Sequence, residues 1–357
     1  MTLSVLPALR TKIQVLNHRQ RLEKCLAGEL PDRTPVALWR HFPVDDQTPE
    51  NLAAATLEFQ RTYDFDLVKV TPASSFCQKD WGSEDQWRGH SEGTREYTRL
   101  AIHHPEDWER LPVLDPNQGY LGAQLRCLRL IVKELGSDTP VLQTIFNPLS
   151  QAKHLAGEST LLMHLRCFPE AVHAGFKIIV ESTRRFIEAT RTTGIAGLFF
   201  AVQHAQYGVL SPLEFETFGK PYDLQVLEPV SNTPMDFWLN MLHLHGEQVM
   251  FDAVMDYPVQ IINWHDRDTP PTLAEAQARY NGVICGGLRR WDSMVVGTPE
   301  QVDAEARDAI QSVGINHQGI GRRFILGTGC VLPIVAPRAN IMAARNSVIP
   351  RDNIAVE

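Results

Sequence analysis

Eight short, almost wholly apolar runs, each separated from the next by a helical stretch, constrain this chain more than any other feature. They are Val36–Trp39, Leu67–Val70, Pro140–Ile145, Leu198–Val202, the run 236–242, Val259–Trp264, Gly282–Leu288 and Phe324–Cys330. Continuous apolar runs alternating with helices predict parallel strands buried on both faces. Eight of them predict a closed (β/α)8 TIM barrel. An open doubly wound sheet is the alternative, but no Gly-x-Gly-x-x-Gly follows the first run.

The connecting stretches fill in the expectation. Residues 1–30 read as a helical lead-in, and Pro49 to Tyr63 as an amphipathic helix. A long polar insertion follows the second strand, from 71 to 116. Its tryptophans (Trp81, Trp87, Trp108) and turn residues suggest a hairpin near the barrel mouth, with the tryptophans used for packing. Helices are predicted over 117–137, two or three over 149–192, one from Pro212 to Val230 capped by Ser211, one over 299–313, and a last one opened by Pro337. A chain of 357 residues is long for one core, but a barrel of this kind carries it, so 1–357 is expected to be a single domain.

Composition excludes several function classes. A net charge of −8 argues against nucleic acid or an anionic membrane as the main partner. No apolar run approaches the roughly 20 residues of a membrane helix, and Met1 to Arg10 lack the apolar centre of a secretory signal. The six cysteines are scattered without a Cys-x-x-Cys pair, which suggests reduced thiols in a cytoplasmic protein.

In the barrel reading, the C-terminal strand ends form the active face. They carry Arg40, His41, Asn147, Gln203, His204, His243, His245, Asn263, His265 and Cys330. In Met241-Leu-His-Leu-His-Gly-Glu247, strand alternation puts His243 and His245 on one face and Leu244 on the other. Two imidazoles so placed can share a metal ion, and Cys330 is the best third donor. The plainer alternative is strand-end hydrogen bonding for the histidines and a small buried thiol for Cys330. His265 and Glu247 are candidates for a fourth ligand or a general base. Asn147, Gln203 and His204 are candidates for substrate contact. Arg40 either binds an anionic group of the substrate or pairs with Asp64 or Asp66.

Asp32-Arg-Thr-Pro35, Asp64-Phe-Asp66, Gly157-Glu, Phe168-Pro-Glu-Ala-Val-His173, Leu210-Ser-Pro-Leu-Glu-Phe215, Pro221-Tyr222, Gly297-Thr-Pro-Glu-Gln-Val302 and Gly329-Cys-Val-Leu-Pro333 occur in this order. Together they resemble the uroporphyrinogen decarboxylase superfamily, from Arg21 to about Ser347. That resemblance implies a (β/α)8 barrel, in agreement with the strand count. The superfamily's metal-free decarboxylases hold substrate carboxylates on an Arg-x-Ala-Gly-Arg loop. Here the region reads Trp39-Arg-His-Phe-Pro-Val-Asp-Asp46, so only Arg40 could stand in. The chain resembles more closely the zinc-dependent corrinoid:thiol methyltransferases of the coenzyme M type. Their metal pattern falls on His243, on His245 where that branch has cysteine, and on Cys330.

The resemblance implies a zinc-dependent methyl or alkyl transferase that activates a thiol or similar acceptor. The methyl-corrinoid would come from a partner protein, because no Asp-x-His-x-x-Gly segment is present, and an acidic barrel mouth would dock it. It admits a homodimer. The alternatives are a metal-independent decarboxylase acting on uroporphyrinogen or another polycarboxylate, centred on Arg40 and Asp64 or Asp66, and a non-catalytic barrel that binds a small molecule or corrinoid.

Overall fold

The computed structural model describes residues 15–232, 237–314 and 321–349; the first part of the lead-in and Asp236 lie outside them. Seven parallel strands form one curled sheet: β1 (Val68–Val70), β4 (Val141–Phe146), β5 (Gly197–Val202), β6 (Met241–Leu244), β7 (Ile261–Trp264), β8 (Val283–Leu288) and β9 (Phe324–Thr328). Each pairs with the next along the chain. β2 (Glu84–Gln86) and β3 (Glu96–Arg99) make a separate antiparallel hairpin within the insertion. All seven sheet strands are buried at every position, as strands covered on both faces must be.

The first expected strand, Val36–Trp39, differs from the prediction. It makes isolated parallel bridges, not a ladder. The Ala37 N–H donates to the Leu326 carbonyl on β9, at 2.9 Å, and the Asp66 N–H donates to the Val36 carbonyl on the β1 side, also at 2.9 Å. The segment therefore bonds to both edges of the sheet. Its ladder is incomplete because Pro35 has no N–H and the Val36 N–H is taken by the Asp66 carboxylate, at 2.7 Å.

The fifth expected run starts its pairing late, at Met241. Asn240 intervenes, its amide accepting from the Leu198 N–H and donating to the Phe237 carbonyl. The expected helix from Pro212 to Val230 is two helices, Pro212–Phe218 and Lys220–Asn232. They part at Gly219, because Pro221 cannot supply the N–H of an uninterrupted helix and fits only a first turn. Three helices fill the next-longest connection: Pro148–Ala156, Glu158–Cys167 and Pro169–Thr190. No helix among the described residues is long and apolar enough to cross a membrane.

Two tryptophans of the insertion are held by other parts of the chain. Trp108 is fully buried, donates to His164 at 3.0 Å, and lies where any side chain at Gly175 would collide with it. The Trp81 indole donates to the Pro112 carbonyl. The lead-in helix His18–Ala27 is tied down through Arg21, which shares the buried carboxylate of Asp66 with Arg33 and His18. Asp66 precedes β1, so this cluster is at the N-terminal end of the strands, opposite the face the barrel reading assigns to chemistry.

Candidate metal centre

The C-terminal strand ends bring together His243, His245, His265 and Cys330. One donor atom from each lies within 4.8 Å of all the others. His243 sits in β6, and His245 extends that strand with its N–H on the Val202 carbonyl at 3.0 Å. Leu244 between them is fully buried on the opposite side. Ring centroids are 5.8 Å apart for His243 and His245, 5.1 Å for His245 and His265, and 5.9 Å for His243 and His265. The Cys330 Sγ lies 3.5 Å from His245 Nδ1. Gly329 lets this loop approach, because a Cβ there would press on the Trp264 carbonyl and the His265 Cα.

The side chains around the cluster fix which atoms face inward. Asn263, paired with His243 across β6 and β7, donates its amide N–H groups to the Cys285 and Thr328 carbonyls. Its oxygen must therefore accept, and it lies 2.7 Å from His243 Nδ1. His243 is thus held with Nδ1 protonated and Nε2 free to ligate, an arrangement typical of metal-binding histidines. His265 Nε2 is buried without a hydrogen-bond partner, and its Nδ1 has only a 3.6 Å contact to Asp268.

Burial pushes the Cys330 thiol up, but His243 and His245 beside it outweigh burial and hold it well below the ordinary thiol value. Burial lowers His243. For His265 burial also works downward, but the Cys330 sulfur raises it on balance. Three imidazoles and a thiolate-prone sulfur, with a donor atom of each within 4.8 Å of the others, suit a borderline-soft divalent ion.

His243, His245 and Cys330 of the cluster form part of the wall of a cavity of about 370 Å³, which His265 does not line. Trp39, Phe146 and Phe199 give it an aromatic side, and His41, Lys69, Lys153, His154 and Gln203 give it polar ones. The insertion contributes Ser74, Glu92, Thr94, Arg95 and Tyr97. The charged lining is mostly cationic, Lys69, Arg95 and Lys153 against Glu92.

Of the other candidates from the sequence, Gln203 reaches the cavity and its buried Oε1 is unpartnered. Four do not line it. Asn147 caps the helix Pro148–Ala156 and donates to Asp223, so both ends of its amide are engaged. His204 is 1% exposed with neither ring nitrogen hydrogen-bonded, and burial pushes it down to about 3. Glu247 is exposed, carried outward by the turn at Gly246 (φ +98°). Arg40 lies over the Phe42 and Phe59 rings and donates to the Ile334 carbonyl. Its proposed partners are engaged elsewhere, Asp64 with Arg345 and His18, Asp66 with the cluster below the strands.

Sequence reasoning passed over Lys69, although the signal was present. A lysine inside the apolar run Leu67-Val-Lys-Val70 has to point into the barrel or break the strand. It is buried in the cavity wall, its ammonium 4.7 Å from the Phe199 ring centre, and burial pushes it down to about 7.

The chain belongs to the uroporphyrinogen decarboxylase (URO-D) family, whose sequence profile matches residues 17–349. The family fold is the (β/α)8 barrel, and within the family the likeness runs to the methyltransferase branch. The chain is 24% identical over 325 residues to a methylated-thiol–coenzyme M methyltransferase of Methanosarcina mazei, covering 88% of this chain and 81% of that protein. It is 23% identical over 242 residues to the methylcobamide:CoM methyltransferase MtbA of Methanosarcina acetivorans, covering 68% and 67%. A solved methyltransferase from Methanosarcina mazei shares the fold with a TM-score of 0.75, at 17% identity over 93% of this chain and 98% of that one.

Proposed function

We propose that this chain is a zinc-dependent methyltransferase that moves a methyl group from a corrinoid, carried on a separate protein, to a thiol or similar acceptor. The observation that carries the reading is the convergence of His243, His245, His265 and Cys330 at the active end of the strands. His243, His245 and Cys330 would hold the ion, with His265 as a fourth donor. Zinc bound there would lower the pKa of a coordinated acceptor and so supply a nucleophile at neutral pH. The aromatic wall of Trp39, Phe146 and Phe199 limits water around the acceptor.

In the transfer, the acceptor loses its proton to solvent and its lone pair forms the bond to the methyl carbon. The cobalt–carbon bond breaks and its electron pair stays with the corrinoid. Incubation with methylcobalamin and a panel of thiols tests this, followed as loss of the cobalt–carbon absorbance. Demethylation is expected from the wild-type protein and not from His243→Ala. Equal rates from both would overturn the reading.

A decarboxylase reading finds less support, since Asp66 is saturated by two arginines, a histidine and a backbone N–H at the opposite end of the strands. A soluble, cytoplasmic, single-domain enzyme is part of the proposal, and a homodimer is compatible with it.

A further inference from the structure

Residues 87–94, the tip of the insertion hairpin, reach across the C-terminal strand ends. The hairpin follows β1, yet its tip is held by the loops after β8, β9 and Val36–Trp39. The Ile334 N–H, beyond β9, donates to the Ser91 carbonyl at 2.8 Å. Arg290, beyond β8, pairs with the Glu92 carboxylate at 2.6 Å, and the Trp291 indole donates to the same oxygen at 3.3 Å. Gly93 lies so close to His41, Pro43 and Ile334 that a Cβ there would collide with them. Glu92 and Thr94 also line the cavity that contains His243, His245 and Cys330. The tip therefore covers one side of that cavity.

Little holds the cover down. Of residues 87–94 only Gly93 is buried, and it has no side chain to anchor the tip. Trp87, its one large apolar group, is half-buried and stands outside the core cluster, with its indole donating to His90 within the tip. A segment without buried apolar contacts opens locally far more readily than the fold around it. What closes it is polar: the bond from Ile334 and the Glu92 contacts, with the Glu92 and Arg290 side chains each 18% exposed. The base of the hairpin, in contrast, is fixed. Asp85 pairs with Lys79, Arg95 pairs with Asp46, and Tyr97 stacks on His154. Gly89 (φ +85°) and Gly93 (φ +79°) flank Glu92 and give the backbone the freedom a hinge needs.

We propose that residues 87–94 are a lid over the cavity, and that Glu92, held by Arg290 and Trp291, is its latch. Opening admits a ligand, and closing shields the His243–His245–Cys330 cluster from bulk water. The lid stands whatever reaction the cluster performs.

Cys330 lies behind the lid, so its reaction with N-ethylmaleimide reads the opening. The full chain is treated with EDTA, which frees the sulfur of any ion, and labelling is followed at each cysteine by mass spectrometry. Exposed Cys167 and buried Cys25, Cys127 and Cys285 serve as references. Glu92→Gln keeps the size of the side chain, and so the cavity wall, but removes the charge that Arg290 answers. Gly93→Ala changes no charge and places a methyl group 2.6 Å from the His41 Cβ, where the closed tip must sit. Each variant is expected to label Cys330 tenfold or more faster than wild type, with the four reference cysteines unchanged. A Cys330 rate that stays at the wild-type value in either folded variant, or one that rises together with the buried references, overturns the proposal. Should Gly93→Ala fail to fold, Glu92→Gln decides alone.

Discussion

Asn263 shows how a single side chain sets the chemistry of its neighbour. Its amide is oriented by two carbonyls, so its oxygen has one function left, to accept from His243 Nδ1. Asn263→Ala removes that acceptor and leaves the ring free to rotate. Zinc affinity should fall about 10- to 100-fold, as for other outer-shell partners of metal-binding histidines, in competition with a chelating dye.

Asp66 does comparable work for stability. Its carboxylate is fully buried and accepts from Arg21, Arg33, His18 and the Val36 N–H. Burial pushes its pKa up, but these donors outweigh burial and hold it well below the ordinary carboxylate range. Asp66→Asn leaves two guanidinium groups without their shared anion and should cost about 3–5 kcal/mol in denaturant unfolding. The sign with pH follows from the depressed value. The contribution is complete above the unfolded-state value of about 3.9 and is lost as pH falls through the lower folded value. The gap between wild type and variant should therefore hold from pH 7 to about 5 and narrow below about 4.

The metal-site histidines were legible in the sequence and the roles of Asn263 and Asp66 were not. The alternation that places His243 and His245 on one face is a local rule and could be read directly. The role of Asn263, and the capture of Asp66 by Arg21 and Arg33, depend on residues 20 to 45 positions apart, which no periodicity reports. Glu247 and His204 looked equivalent to His245 as polar residues at a strand end. A positive-φ glycine turned one outward and burial closed off the other.

The insertion hairpin is the element whose consequence the sequence left open. Its turn residues and tryptophans indicated order, but not that it would furnish Arg95 and Tyr97 to the cavity wall. Arg95 is the tie, donating to the Pro43 carbonyl and to Asp46 while lying 3.8 Å from Asp85. Arg95→Ala strands the largely buried Asp46 carboxylate, while Lys79 keeps Asp85, and frees the hairpin from the 41–47 loop. Limited proteolysis should then cut between 84 and 99 well before the barrel strands, whereas the wild-type protein resists at the same protease dose. The seven ladders were legible because each is a local apolar run. The Val36–Trp39 segment fell short of a ladder for reasons at its neighbours, Pro35 and the Asp66 carboxylate.

Across the whole molecule, one buried apolar cluster runs from Leu22 to Val348, and the metal-site donors stand on the ends of strands that this core already holds. Removing zinc should therefore leave the fold intact. Chelation is expected to keep the far-ultraviolet circular dichroism unchanged while lowering Tm by several degrees, since a ligand at a thousandfold excess over its dissociation constant contributes about 4 kcal/mol. Collapse of the dichroism on chelation would make the ion a structural element.

The most direct test of the account is elemental mass spectrometry of tag-free wild-type protein beside Cys330→Ala, after zinc incubation and removal of free ion. The account predicts about one zinc per chain in the wild type and loss of it in the variant, with both proteins folded. A folded wild-type chain that retains no zinc would contradict it.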